Sequence, residues 1–460
     1  MPPKATNFSR THELFRLELI NIIDQGHAIA KLTEQINWQA AIDKFGLLYT
    51  SDNGRPGISI RLMVGLHYLK HTFNVSDEMV VAQWVENPYW QYFCGEQYFQ
   101  HQVPINASMM TRFRNRIGKE GCEFMLGLTI ETGLATKTIT PRSLAVVNVD
   151  TTVQEKAVSF PLDAKLYHKA RRALVRLAKR QGIALRQSYE RTGAHALAMN
   201  GRYAHARQMK RAKREQKKLR TQLGSVIRDI ERKLALQSTQ ANAVQTAEPS
   251  KALSKLLSLL DIAKRIHAQQ RQRSAGEPTK IYSVHAPEVE CIAKGKAHKR
   301  YEFGAKVSVT TTSKDNFVVG MNSLPGNPYD GHTLASALLQ VHTLSGVLPK
   351  EAYVDKGYRG HGVKEVAVWI AGVKKDVTAA IKKKLKRRNA VEPSIGHMKS
   401  DGRLARNFLK GEVGDAMNAI LCGAGHNLRK ILKRLALCWL KMLQLFYRVS
   451  LFDIQTPLLA

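Results

Sequence analysis

Acidic residues are scarce in this chain. Its 460 residues include 37 Asp and Glu against 71 Lys and Arg, a formal net charge of +34. That excess is far beyond what solubility needs, so it asks for a polyanionic partner, with nucleic acid the leading one. Charge alone leaves a basic structural protein or a membrane-surface binder as the alternative. Cysteine is sparse too. Cys94, Cys122, Cys291, Cys422 and Cys438 are scattered, odd in number and without a CxxC pair. Neither a zinc knuckle nor a disulfide framework is indicated, and a reducing cytoplasm fits. Long apolar runs are missing: the stretch at 435–447 is interrupted by Lys441 and too short to span a bilayer. The opening MPPKATNFSRTHELFRL has no apolar h-region, so no signal peptide is read. No GxGxxG or GxxxxGK[ST] phosphate loop occurs, which argues against a doubly wound nucleotide-binding enzyme. The length suits two or three domains, and the 44% hydrophobic content supports real cores.

Among so many cations, three acids stand out by position. Val146-Val147-Asn148-Val149-Asp150 is a β-branched run with an aspartate at its tip. Ala352-Tyr353-Val354-Asp355-Lys356-Gly357 is a second short apolar strand followed by an acid and a glycine turn. The third is Glu392, in RRNAVEPSIGHMKSDGR at 387–403. There Asn389 can N-cap a helix, with Glu392 three positions on and Pro393 in the first turn. Glu392, Ile395, Gly396, Lys399 and Arg403 would share one face of that helix. Each acid also has an ordinary reading: turn or cap residues for the aspartates, a capping-box glutamate on a solvated basic helix for Glu392. Three carboxylates brought together repel unless cations neutralise them, and two Mg²⁺ ions are the usual answer in phosphoryl transfer.

At these residues the sequence resembles the DDE transposases of bacterial insertion sequences. Asp150, Asp355 and Glu392 look like the DDE triad. Arg388, Glu392 and Lys399 match an Arg-x3-Glu-x6-Lys signature, and the block GHMKSDGRLARNFLKGEVGDAMNAILCGAGHNL resembles insertion-sequence family five. The tyrosine that usually stands three residues before the arginine is Leu385 here. The resemblance covers most of 40–130, 140–155 and 280–430. It implies an α/β fold with a ribonuclease-H-like catalytic core, in which the first and fourth strands are neighbours. It also implies that Asp150, Asp355 and Glu392 hold two Mg²⁺ (or Mn²⁺), and that Arg388, Lys399 and Arg403 hold DNA near the scissile phosphate. The expected partners are the terminal inverted repeats and target DNA, gripped by a homodimer in the synapse, with no membrane and a cytoplasmic location at the bacterial nucleoid. Two rivals remain: a non-catalytic DNA-binding protein retaining the fold, and a nuclease without strand transfer.

The rest of the chain divides around that core. Residues 1–135 read as a helical domain, and the resemblance implies that it binds the DNA ends. Ser76 caps DEMVVAQWVEN, Asn87-Pro88 stops it, and Tyr89, Trp90, Tyr92 and Phe93 read as core aromatics. Ser108 then caps a basic helix on which Arg112, Arg116 and Lys119 share a face suited to DNA. The core begins at 136–162 and resumes at 280–430, with 431–460 a C-terminal helix. In the second part Asp330 and His332 follow a Gly-Asn-Pro turn from which both could reach the site, although Asp330 reads first as a helix cap, and KKDVTAAIKKKLKRRN reads as a basic loop. Between the two parts, 163–279 is a basic helical insertion with a net charge of about +19. It reads as a pair of antiparallel helices broken near Gln237–Ser250. One reading makes it a DNA-gripping arm, because Arg207, Lys210, Arg211, Lys213, Arg214, Lys217, Lys218 and Arg220 cluster there. The other makes it a dimer contact through the seam Leu219, Leu223, Ile227, Ile230 and Leu234.

Overall fold

The computed structural model describes residues 17–49, 57–241, 251–269, 280–293, 300–373 and 377–453. The chain forms two units, one of residues 1–155 with 305–460 and one of residues 156–304. The second unit is wider than the expected insertion at both ends.

In the first unit, helices are set by the signals their sequences carry. Ser76 accepts the Met79 N–H at 3.1 Å and starts Asp77–Glu86. Asn87 ends that helix and caps the next, Pro88–Phe93, with proline in its first turn. Trp90 and Phe93 are buried, in line with the core reading of the aromatics. Ser108 is the first residue of its helix rather than the cap. That helix, Ser108–Ala135, is far longer than expected and kinks at Gly118, whose φ of 62° and ψ of −162° break the ladder. One apolar core runs from Ile29 through Ile139 and on through Val147 to Ile431. The expected boundaries at 135 and at 430 therefore fall inside a single packed body. The residues around 430 belong to one helix, Gly411–Asp453. It packs against Ala28–Gln35, Ile60–Thr72 and Ser108–Ala135. Gly425 allows this closeness: a Cβ there would lie 2.5 Å from the His71 carbonyl oxygen.

The sheet of this unit is built from β1 (Val146–Glu155), β3 (Tyr301–Thr312, from residue 305), β4 (Val318–Leu324), β5 (Glu351–Val354) and β6 (Ala367–Ile370), while β2 (Glu290–Ala293) belongs to the second unit. The order is β4-β3-β1-β5-β6. β4 pairs antiparallel to β3, and β5 and β6 run parallel to β1. Ser313, just past β3, donates to the Val146 carbonyl at the start of β1 (2.9 Å), so those two strands are antiparallel. The first strand is thus the neighbour of β5. Backbone groups of β4 that β3 leaves over find side-chain amides: Asn427 closes Val318 N–H and C=O (both 2.8 Å), and Gln340 closes Met321 N–H (2.7 Å) and C=O (3.2 Å). The expected basic loop at 374–389 is mostly a helix, Ala379–Arg388, capped by Thr378; residues 374–376 lie outside the described residues.

The second unit holds the helices Asp163–Arg180, Glu190–His205, Met209–Ala241 and Lys251–Ala268. This corrects the expected pair. The chain is still helical at 237–241, where a break was expected, and residues 242–250 lie outside the described residues. Leu219, Leu223, Ile227 and Ile230 are buried against Leu174, Leu256, Leu260 and Ile266. β2 pairs antiparallel with residues 301–304. The basic stretch at 294–299 is not among the described residues.

Candidate active site

Asp150 lies within β1, not at its tip, because the strand continues to Glu155. Its Oδ1 accepts the Thr151 N–H at 2.8 Å and its Oδ2 accepts from Arg388 Nη2 at 3.0 Å. Asp355 follows β5 directly and caps a 3₁₀ turn, Lys356–Tyr358, accepting the Gly357 N–H at 2.9 Å. The parallel register sets Val146 opposite Glu351 and Asn148 opposite Tyr353. Carried on by two residues, it brings Asp150 level with Asp355. Two acids distant in sequence thus come level, one within β1 and one just past the end of β5.

A further carboxylate joins them. Asp330 caps nothing; Tyr329 is the N-cap and Asp330 the first residue of Asp330–Ser345. The Lys306 ammonium stands 2.6 Å from its Oδ1 and also donates to the Pro328 carbonyl at 2.7 Å. A Cβ added at Gly357 would lie 3.0 Å from Asp330 Oδ2 and 3.1 Å from Asp355 Oδ1. The two carboxylates therefore converge on one residue that has no side chain. Tyr358 is fully buried beside them. Burial, and then the negative fields of Asp330, Asp150 and Asp355, push its phenol far above the ordinary tyrosine range, so it keeps its proton. Lys306 and Arg388 supply the positive charge that makes this acid grouping tolerable. Lys306 and Tyr358 were not read as site residues from sequence, where the proximity of Tyr358 to Asp355 in Asp-Lys-Gly-Tyr was the available signal; Asp330 was read as able to reach the site, with a helix cap preferred.

The remaining expected site residues are placed differently from one another. Helix Val391–Asp401 packs against β1 and turns Val391, Ser394, Ile395 and Met398 inward. Glu392 lies exposed in its first turn and Lys399 half-buried further along. Asn389 does not cap this helix: it ends Ala379–Arg388, and the N-cap, Ala390, makes no side-chain cap. Arg388, expected to hold DNA, is 7% exposed and spends its guanidinium on Asp150. Arg403 shares no face with Glu392, because the helix ends at Asp401. It sits at φ 68°, reaches the Asn74 carbonyl (3.3 Å), and lies over the Phe408 ring at 6.0 Å. Among the described residues, no three His, Cys, Asp or Glu side chains stand close enough to hold one metal ion. The structure thus sets Asp150, Asp355 and Asp330 around the buried Tyr358 and leaves Glu392 on an exposed helix face.

Of the expected DNA contacts, Arg112 and Arg116 are exposed on Ser108–Ala135, the latter over the Tyr49 ring at 4.5 Å. Arg114, between them, turns inward and grips both Asp77 oxygens at 3.0 and 2.6 Å. Lys213 and Lys217 are exposed on Met209–Ala241.

Residues 17–116 match a transposase domain (DUF772), a match that ends just before the Gly118 kink. The chain is 52% identical over 200 residues to the uncharacterized protein ORF8 in the nfe locus of Rhizobium meliloti, a match that spans 44% of this chain and 96% of that protein. No solved structure matches the chain.

Proposed function

We propose that this chain, which belongs to a transposase family, is a metal-dependent DNA transposase acting through Asp150, Asp355 and Glu392. The observation that carries the reading is the placement of Asp150 in β1 and Asp355 just past the parallel strand β5, each two residues beyond the paired Asn148 and Tyr353. The strand order β4-β3-β1-β5-β6, with the last two parallel to the first, supports a ribonuclease-H-like core. The reaction is cleavage of a phosphodiester at the ends of an insertion sequence, followed by joining of the freed 3′-hydroxyl to target DNA, with two ends held in a homodimer.

The donor types suit Mg²⁺ or Mn²⁺, since all three are carboxylates. Arg388 pairs with Asp150 Oδ2, so a metal at that oxygen would share it with the guanidinium or displace it. Asp150, Asp355 and Glu392 would hold the metal. When bound, such ions act as Lewis acids on the phosphodiester and lower the pKa of water. The chain's own part is to fix the two aspartates by backbone hydrogen bonds, to balance the extra carboxylate with Lys306, and to carry DNA on Lys399, Arg112 and Arg116.

Asp150→Ala, Asp355→Ala and Glu392→Ala are each expected to abolish cleavage of a DNA end and leave a gel shift nearly intact. Cleavage should stop with a chelator and return with Mg²⁺ or Mn²⁺. Full cleavage by one variant removes that residue from the site, and restoration by Zn²⁺ alone counts against the whole assignment.

A further inference from the structure

A second basic feature lies beside the acids. A groove of ≈ 1130 Å³ opens at the start of β1, lined by Arg142, Lys314, Lys383, Lys384, Lys386 and Arg387, over a floor that includes Pro141, Val146 and Ala390. No acidic residue lines it. Lys384 is paired with Glu351 at 2.6 Å, and Arg387 donates to the Lys314 carbonyl at 2.7 Å, which fixes that arginine against the opposite wall. Lys383, Lys386 and Arg387 fall at helical spacing on one face of Ala379–Arg388. The cations come from three separate segments, so the groove suits an extended polyanion better than a single anion.

Its position relative to the acids follows from the chain. Arg387 faces the groove and the next residue, Arg388, holds Asp150. Along β1, Val146 and Asp150 are four residues apart, about 13 Å at the strand rise. We propose that this groove is a nucleic-acid backbone site that holds duplex DNA alongside the phosphate presented to Asp150 and Asp355. The proposal rests on the transposase reading for what the acids do, but the groove's affinity for DNA can be measured without cleavage. Its contacts are to phosphates, so it fixes register without reading bases.

The test uses the full chain, a short fluorescent DNA duplex of arbitrary sequence, and binding measured by anisotropy across a salt series. The triple variant Lys314→Gln, Lys383→Gln, Lys386→Gln should bind more weakly, with the slope of log K against log salt shallower by about two to three units. Arginine at the same three positions should restore the slope. A control triple to Gln at the exposed Lys137, Lys364 and Lys433 should change it by less than about one unit. An unchanged slope in the groove triple, with cleavage intact, overturns the groove and leaves the transposase reading standing. Wild-type protein that binds the duplex but never cleaves a DNA end, with the groove triple still shallower, sinks the transposase reading and keeps the groove. Loss of poly-glutamate binding with DNA binding unchanged would assign the groove to an acidic protein segment and overturn the proposal.

Discussion

At the residue scale, Arg388 and Glu392 divide the work that a single signature would assign to one surface. Arg388 is nearly inaccessible and ion-paired to Asp150, whereas Glu392 is exposed. A buried pair is costly to break from one side, because the surviving charge is left without a partner. Asp150→Ala should therefore lower unfolding stability by about 3 kcal/mol. Adding Arg388→Met should recover much of that loss. Glu392→Ala should stay within about 0.5 kcal/mol of the parent, as exposed substitutions do. Urea denaturation of the three variants decides this, and equal losses for Asp150→Ala and Glu392→Ala would sink it. The acids were legible in the sequence because apolar β-branched runs lead into Asp150 and Asp355. The destination of Arg388 was not, since an arginine looks the same whether its partner is a phosphate or an aspartate brought close by the sheet.

At the scale of elements, the helices around Gly411–Asp453 are held by buried polar groups with an acid-sensitive balance. His67, on Ile60–Thr72, faces the Met63 carbonyl through Nδ1 (2.7 Å) and Arg114 Nη1 through Nε2 (3.3 Å). An arginine can only donate, so that ring is neutral with its proton on Nδ1. Burial first, then Arg114, takes His67 down to about 3, and burial with Lys430 and Arg429 takes His426 to about 3. Both are ordinary in the unfolded chain, near 6.5. Between pH 6.5 and about 3 the unfolded chain therefore binds protons that the folded chain refuses, so stability falls as pH drops through that window. Asp77 acts in the same direction: burial opposes its ionisation, but Arg114 and Lys70 prevail and hold it well below the carboxylate range, so its stabilisation is lost at still lower pH. His426→Gln should flatten the acid limb of a Tm-against-pH profile by about one proton, or about 1.4 kcal/mol per pH unit. An unaltered limb would show that His426 is not held neutral. Elements with a cap or an apolar period, such as Asp77–Glu86 and the strands, were readable. Ala379–Arg388 read as a loop because its KKKLKRR run has almost no apolar periodicity, and the helical stretch beyond the Gly118 kink was not anticipated.

At the scale of the whole molecule, the second unit answers a question that composition left open. Leu219, Leu223, Ile227 and Ile230 are buried within that unit, and Leu234 packs against the same core, so this seam is not available as a dimer contact. Periodicity alone could not tell an internal seam from an external one; only the partner helices Asp163–Arg180 and Lys251–Ala268 decide it. What remains on the surface is charge. Arg207, Lys210, Arg211, Lys213, Arg214, Lys217 and Lys218 are exposed, and Arg220 is half-buried. Three of the cluster have local partners: Arg211 bonds Gln208, Lys218 pairs with Glu215, and Arg220 donates to the His267 carbonyl. A helix that needed only solubility would mix signs, and here Glu215 is the one acid among Lys210 to Arg220. The unit is thus suited to neutralise phosphates, each contributing about −0.9 to the slope of log K against log salt. Replacing Lys210, Lys213, Arg214 and Lys217 with Gln should make that slope shallower by roughly two to four units. Backbone contacts carry no base information, so the preferred end sequence should not change. The buried seam is untouched, so sedimentation should report the parent's oligomeric state. A slope equal to the parent's would remove the arm from DNA binding. A changed end preference would mean that these side chains read bases and do not merely hold phosphates.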